Sequence, residues 1–346
     1  MKKAFSFILI TLLSVVLIAC GNNSSNKEEK TSKNDTKNES KTVEIQSKYE
    51  ARGEKEDGSD SKVIDEKVTV PVNPKKVVVL DYGALDTVEA LGAKDAVKGV
   101  PKGEGNATLP AFLKAFKGDE VVNTGSLKEV NYEKIAEIQP DLILFSGRTS
   151  GTKVQDELKK AAPDAARLYI GADDKHLLKS VKTNTTHLGK IFDKESKAKS
   201  LNADLDKKVK STQDKAKKSN DKAMYLLVNE GELSTYGPGA RFGSLIYDVL
   251  GVKASDGNIK ASRHGQPISY EYITKKNPDI IYAMDRGKAI GGKESSNKAL
   301  SNDVIKDVNA IKNKKVINVD PELWYLASGG VRTTEKQIDE VAKGLK

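Results

Sequence analysis

Residues 131–148 read NYEKIAEIQPDLILFSGR, and residues 269–286 read SYEYITKKNPDIIYAMDR. Laid over each other at a constant offset of 138 residues, they match Tyr132 with Tyr270, Glu133 with Glu271, Ile135 with Ile273, Pro140-Asp141 with Pro278-Asp279 and Arg148 with Arg286. Each copy reads as a short helix, a Pro-Asp turn, a strand apolar along its length, and an arginine where the strand ends. A strand without polar alternation is covered on both faces, the habit of parallel sheets flanked by helices. Ligands on open α/β sheets lie beyond the carboxyl ends of the strands. The duplication predicts two α/β lobes. If they face each other, Arg148 and Arg286 enter one cleft from opposite sides.

Outward from the two copies the alternation continues. KVVVLD at 76–81 runs into the helical pattern LDTVEALG, closed by Gly92, and AVKGV at 96–100 and ARLYI at 166–170 repeat the strand signal. The second half restarts with AMYLLVN at 223–229, then GSLIYDVLG, and ends with KVINV at 315–319. The fold class is α/β: two Rossmann-like lobes, over 43–184 and 220–346, with a cleft between them. From about Thr185 to Ser219 the chain has no proline and one glycine, with Leu188, Ile191, Phe192, Leu201, Leu205 and Val209 at helical intervals. This stretch, 185–219, is expected to form a single long helix that joins the lobes stiffly. Its heptad positions are too poorly filled for a coiled coil.

The first 20 residues are MKKAFSFILITLLSVVLIAC. Lys2 and Lys3 precede an uncharged run that is short for a membrane span and stops at a cysteine. The reading is a lipoprotein signal peptide at 1–19 with Cys20 lipidated; the competing one is an ordinary secretory signal whose cleavage site includes a Cys. Cys20 is the sole cysteine, so it has no disulfide partner and no metal co-ligand in the chain. GNNSSNKEEKTSKNDTKNESKT at 21–42 has no large apolar residue and reads, with Cys20, as a disordered tether. The body is therefore expected on the outer face of the cytoplasmic membrane, held there by lipid alone.

The formal net charge is +9, but the lysines are interspersed with Asp and Glu rather than gathered in a stripe, which with export argues against nucleic acid. Only seven arginines stand among the 58 basic residues, so each is informative. TYGPGARFGSLIYDVLG places Tyr236 and Arg241 around Gly237-Pro238-Gly239, where backbone can approach a ligand closely. It matches neither a P-loop nor a dinucleotide fingerprint. SRHGQPISYE follows, with Arg263 and His264 before Gly265. His176 and His187 lie in helical, charged surroundings and read as surface residues. DPELWYLASGG at 320–330 holds the sole tryptophan, Trp324, beside Tyr325. Trp324 is either core or ligand-lining; Tyr325, adjacent, points elsewhere. Three arginines, a histidine and a tyrosine suit a large, multiply anionic ligand with aromatic oxygens, because guanidinium stays charged and bonds as a fork. Imidazole and phenolate can enter the coordination sphere of ferric iron. No nucleophile elbow or His-rich ligand set points to an enzyme.

In YGPGARFG, the HG before ISYEYI, NPDIIYAMDRG and WYLASGG, the chain resembles the iron-siderophore-binding lipoproteins of ABC importers, in particular the catecholate and petrobactin-type receptors of Gram-positive bacteria and their periplasmic enterobactin-binding relatives. The resemblance covers Val43 to Lys346. It implies a non-catalytic, monomeric receptor without intrinsic cofactor, which holds an Fe(III)-siderophore complex in the interlobe cleft and passes it to an ABC permease with its ATPase. It places the anion-binding arginines at Arg148, Arg241 and Arg286 and the iron-contacting pair at His264 and Tyr325; the reading of the residues themselves adds Trp324, Arg263 and Tyr236 as ligand-binding candidates. Glu89 and Glu232 are loose candidates for docking onto permease arginines. Haem, cobalamin or ferric hydroxamate are the alternative ligands on this architecture.

Overall fold

The computed structural model describes residues 41–53, 55, 59–103, 109–262, 264–293 and 296–346. The expected signal peptide, Cys20, nearly all of the expected tether and Arg263 lie outside the described residues. The described chain opens with a hairpin that was not anticipated from the sequence, β1 (Thr42–Ala51) paired antiparallel with β2 (Lys62–Pro71). Its Tyr49 ring stacks on Tyr169 at 4.8 Å and meets Phe145 edge-on at 5.2 Å, which fastens it to the first lobe.

That lobe is a parallel sheet in the order β5-β4-β3-β6-β7, built from β3 (Val77–Val79), β4 (Val97–Val100), β5 (Val122–Asn123), β6 (Leu142–Phe145) and β7 (Ala166–Tyr169). Helices α1 (Tyr82–Ala90), α2 (Tyr132–Ile138) and α3 (Thr152–Ala161) belong to it. All four residues of β6 are buried, as an uninterrupted LILF requires.

The connecting stretch differs from the expected single helix over 185–219. It is a helical hairpin of α4 (Leu177–Ile191) and α5 (Glu195–Lys218). Asp193 turns the chain with φ at 56°, and Gly189 lets α4 pass close to α5, since a side-chain carbon there would lie 2.5 Å from the Ala198 Cβ. Farther along, Asn202 Nδ2 donates to the Lys182 carbonyl at 3.1 Å. The apolar residues read as one stripe serve both helices: Leu188, Ile191 and Phe192 bury on the first, Leu201, Leu205 and Val209 on the second. The long connector is α5, at 24 residues.

The second lobe comprises β8 (Lys222–Asn229), β9 (Glu232–Tyr236), β10 (Lys253–Ala254), β11 (Gln266–Pro267), α6 (Tyr270–Lys276), β12 (Ile280–Asp285), α7 (Arg286–Ala289), α8 (Ser296–Leu300), α9 (Asn309–Lys312) and β13 (Val316–Asn318). Its sheet runs β11-β9-β8-β12-β13, with β10 also on β8. The parallel centre is as expected, but β9 returns antiparallel from β8 through Glu230 and Gly231, both at positive φ, the backbone of a tight hairpin turn.

The sequence repeat now has a physical account. Asn131 and Ser269 cap α2 and α6 through side chains that accept the Lys134 and Tyr272 amides, and Gln139 and Asn277 end those helices in left-handed conformations. Asp141 then accepts the Lys76 amide at 2.9 Å, tying the start of β6 to β3, and Asp279 accepts the Lys222 amide at 2.9 Å, tying β12 to β8. Each Pro-Asp pair thus sets the start of a central strand, and Arg148 and Arg286 follow at equivalent carboxyl ends.

The last helix, α10 (Val331–Gly344), is shared between the lobes. Its C-terminal half meets β12, where Tyr282 donates to the Val341 carbonyl at 2.7 Å. Its first turn sits on α1: buried Asp86 accepts the Arg332 amide at 2.9 Å, the Thr333 amide at 3.1 Å and Arg332 Nε at 2.9 Å. Burial pushes the Asp86 carboxyl up, against the pull of Arg332 and of the amides. Gly330 and Gly83 let the two backbones touch, since a side-chain carbon on Gly330 would come within 2.5 Å of the Gly83 carbonyl oxygen.

Candidate ligand-binding cleft

Arg148 leaves the end of β6, Arg286 opens α7 immediately after β12, and Arg241 follows the Gly237-Pro238-Gly239 bend after β9. Gly243 allows that bend to close, because a side-chain carbon there would fall 1.9 Å from the Gly237 carbonyl oxygen. All three guanidinium groups converge on Tyr325. Its backbone carbonyl accepts Arg148 Nη2 at 2.6 Å and Arg241 Nη2 at 2.8 Å, and its phenol oxygen accepts Arg286 Nε at 3.0 Å. The Tyr325 ring is 5.4 Å from Arg148 Cζ, 5.0 Å from Arg241 Cζ and 5.4 Å from Arg286 Cζ. Asn229, at the end of β8, accepts Arg286 Nη1 at 2.7 Å.

Among the described residues none of the three arginines is ion-paired with a carboxylate. Burial, reinforced by the neighbouring Arg241, lowers the Arg148 guanidinium from its usual value, against the pull of Tyr325 and Asp81, yet an arginine stays charged. Tyr325 reports the same field. Burial pushes its phenol up, but the Arg286 hydrogen bond and the charges of Arg286, Arg148 and Arg241 outweigh that and hold it below the usual phenol value. A half-buried cationic cluster whose donors reach only a carbonyl, a phenol and an amide is short of anions.

The remaining sequence candidates separate. Trp324 is core rather than lining: it is 1% exposed, packs 5.3 Å from the Tyr225 ring and donates from Nε1 to Glu340 at 2.7 Å. The wide helical turn over Glu322–Leu326 sends its side chain inward and that of Tyr325 to the arginines. Tyr236 is likewise buried, its ring packed on Tyr225 at 5.9 Å and at 4.8 Å on Phe242, whose own ring lies 4.6 Å from Arg241 Cζ, so it backs the cleft from the core. His264 lies on an exposed loop whose Gly265, at φ 76°, presses on the Tyr236 ring. Its backbone amide donates to Ser262 Oγ at 3.3 Å, and no hydrogen bond joins it to Tyr325. Glu89 is taken up by Arg332, whose Nη2 donates to Glu89 Oε2, so it is not free to dock a permease; Glu232 is exposed at the start of β9. Asn229 was missed, although it ends a predicted strand beside the one that carries Arg286. Asp81 was missed too. It caps α1 by accepting the Ala84 amide at 2.8 Å, and burial pushes its carboxyl up against the pull of that amide, Ser146 and Arg148. Among the described residues no cluster of His, Cys, Asp and Glu is arranged to hold a metal ion, and no helix is long and apolar enough to cross a membrane.

Residues 77–323, both sheets and the arginine cluster between them, match the family model for periplasmic binding protein. The chain belongs to that family. It is 42% identical over 345 residues to the petrobactin-binding protein YclQ of Bacillus subtilis, covering 99% of each chain. The crystal structure of that protein superposes with a TM-score of 0.76, covering 86% of this chain and 99% of the other. The ferric-anguibactin-binding protein FatB of Vibrio anguillarum is 33% identical over 279 residues, covering 79% of this chain and 83% of its own. The periplasmic catecholate-siderophore-binding protein VctP of Vibrio cholerae, 29% identical, superposes with a TM-score of 0.72 over 85% of this chain and 99% of its own.

Proposed function

We propose that this protein captures a ferric catecholate-type siderophore outside the cell and delivers it to an ABC permease for iron uptake. The observation that carries this reading is the convergence of Arg148, Arg241 and Arg286, from three separate segments and both lobes, on one point without a carboxylate to satisfy them. A ferric catecholate complex carries up to three negative charges spread over aromatic oxygens, and guanidinium forks in a partly desolvated cleft are complementary to it. The relatives named for petrobactin, anguibactin and catecholate siderophores support the same ligand class. No covalent step is involved.

Tyr325 is the iron-facing group already inside the cluster, and a phenol held below its usual titration range is the easier to convert to a phenolate ligand. His264, on its exposed loop, serves as the second iron contact only for complexes that leave coordination positions open. Removing His264 should therefore weaken a tetradentate complex and spare a saturated one; equal effects on both would end its coordination role. Lipidation at Cys20 holds the body, with its lobes over 43–184 and 220–346, at the membrane beside the permease. The test is titration of the protein with ferric catecholate, ferric hydroxamate and haem, read through Trp324, the chain neighbour of Tyr325. Tight, saturable quenching by the catecholate complex alone is expected. A response to hydroxamate or haem with none to catecholate would overturn the choice of ligand while leaving the family intact.

A further inference from the structure

Strands β8 and β12 run parallel with Val228 opposite Asp285, so the next residue of each, Asn229 and Arg286, leave adjacent carboxyl ends side by side. Both are fixed from behind. Past Asn229 the chain turns back at Glu230 and Gly231, and Asn229 pairs with Glu232 across that hairpin. On the other strand the buried Asp285 carboxylate accepts the Lys288 amide at 3.0 Å and the Ser296 amide at 2.7 Å, which holds the start of α7, and with it Arg286, in place.

The Arg286 guanidinium is gripped on two of its three nitrogens: Asn229 Oδ1 accepts Nη1 at 2.7 Å and the Tyr325 phenol accepts Nε at 3.0 Å. A guanidinium only donates, so it is the amide oxygen of Asn229 that faces it. The third nitrogen, Nη2, has no hydrogen-bond partner among the described residues. A planar fork held on two nitrogens has its orientation set before a ligand arrives, which removes part of the ordering cost of binding. The chemistry of the holder matters as much as its position. An aspartate of the same shape would accept the same hydrogen bond but offset the charge that the ligand needs, and an alanine would leave the charge but release the fork.

We propose that Asn229 is a positioning residue for ligand binding: its amide oxygen fixes the Arg286 fork, leaves Nη2 for an anionic oxygen of the ligand and leaves the guanidinium charge intact. This rests on the ferric catecholate reading above and deepens it, since Asn229 acts through Arg286 and not on the ligand.

Two substitutions separate holding from charge, with ferric tris-catecholate and the less negative ferric bis-catecholate as probes. Asn229→Ala should weaken both by about three- to tenfold, the scale of one hydrogen bond. Asn229→Asp keeps the fork but pairs it, and should weaken the tris-catecholate by roughly tenfold or more and the bis-catecholate less. In an Arg286→Ala background Asn229→Ala should cost nothing further, because the group it positions is gone. A cost that persisted in that background would mean that Asn229 meets the ligand itself. Wild-type affinity in Asn229→Ala, or equal losses of the two complexes in Asn229→Asp, would likewise overturn the positioning role, and all three results leave the arginine reading standing. Asn229→Asp preserves the shape of the side chain, so it keeps the test decisive if Asn229→Ala fails to fold. If neither complex bound the wild type, the ferric catecholate reading itself would fall, and this inference with it.

Discussion

Arg332 and the cleft cluster of Arg148, Arg241 and Arg286 both stand where the lobes meet, and they are satisfied in opposite ways. Arg332, at the first turn of α10, meets two carboxylates on α1, Asp86 and Glu89. Arg148, Arg241 and Arg286 meet a carbonyl, a phenol and an amide oxygen. The first arrangement is complete within the chain, because the cation has its carboxylate partners there. The second has no ion-paired carboxylate among the described residues, and its three cations stand where a ligand can reach them. The contrast teaches which arginines hold the protein together and which await something from outside, a distinction that the residue type alone does not make.

The largest expected effect strikes the second group. Replacing any one of Arg148, Arg241 and Arg286 by alanine should weaken binding of a ferric catecholate tenfold or more, and replacing all three should weaken it further, though not by the product of the single effects, because they share Tyr325. The same variants should lose little stability, on the order of 1 kcal/mol, because each removes hydrogen bonds to Tyr325 or Asn229 and no ion pair, and relieves a like-charge neighbour. Unchanged affinity in the triple variant would show that the cleft has been assigned to the wrong residues. A large loss of stability would show that these arginines belong with Arg332.

Asp86→Ala is the converse. It leaves Arg332 with Glu89 as its one carboxylate and strands two amides of α10 in a buried junction, and should cost about 3 kcal/mol in chemical denaturation with affinity for the ferric complex changed by less than about threefold. Gly330→Ala attacks the same junction by shape. The glycine has φ at −78°, so the substitution meets no backbone penalty, only the Gly83 carbonyl. Moving the two segments apart should cost about 1–3 kcal/mol. If either variant lost binding in proportion to stability, the junction and the cleft would be one cooperative element rather than two.

Much of this was legible beforehand, and the exceptions have reasons. Uninterrupted apolar runs such as LILF and the second half of SYEYITKKNPDIIYAMDR announced buried parallel strands, and the repeat located two of the three cleft arginines because a strand end fixes where its next residue goes. The β1–β2 hairpin escaped because its strands are largely exposed and rich in Lys and Glu, so little apolar patterning marks them. The break at Asp193 escaped because no Gly or Pro sits at the turn itself; the glycine that makes it possible, Gly189, is a packing glycine four residues earlier. Trp324 could not be assigned from a sequence position that fits both core and cleft, since the choice depends on Glu340, 16 residues away, reaching its indole. The α10 junction is the least legible feature, because Asp86 and Arg332 are separated by 246 residues.

The smallest predicted effect measures the uncompensated charge directly. Tyr325 should titrate below the usual tyrosine value of about 10. Burial pushes up the phenols of Tyr82, Tyr169, Tyr225, Tyr236, Tyr247 and Tyr282, so Tyr325 should be among the first tyrosines to ionise as alkali is added. Ultraviolet difference absorbance between wild type and Tyr325→Phe isolates its tyrosinate signal. The sign of the stability effect follows. A phenol whose folded value lies below the unfolded one adds stability that is absent below the folded value, grows as pH rises through it, and is complete above about 10. Arg286→Ala removes the hydrogen bond and the strongest of the three charges, so it should move the Tyr325 titration upward and erase most of that gain. A Tyr325 that titrated with the buried tyrosines would mean that the guanidinium groups are already neutralised, and the contrast with Arg332 would lose its physical basis.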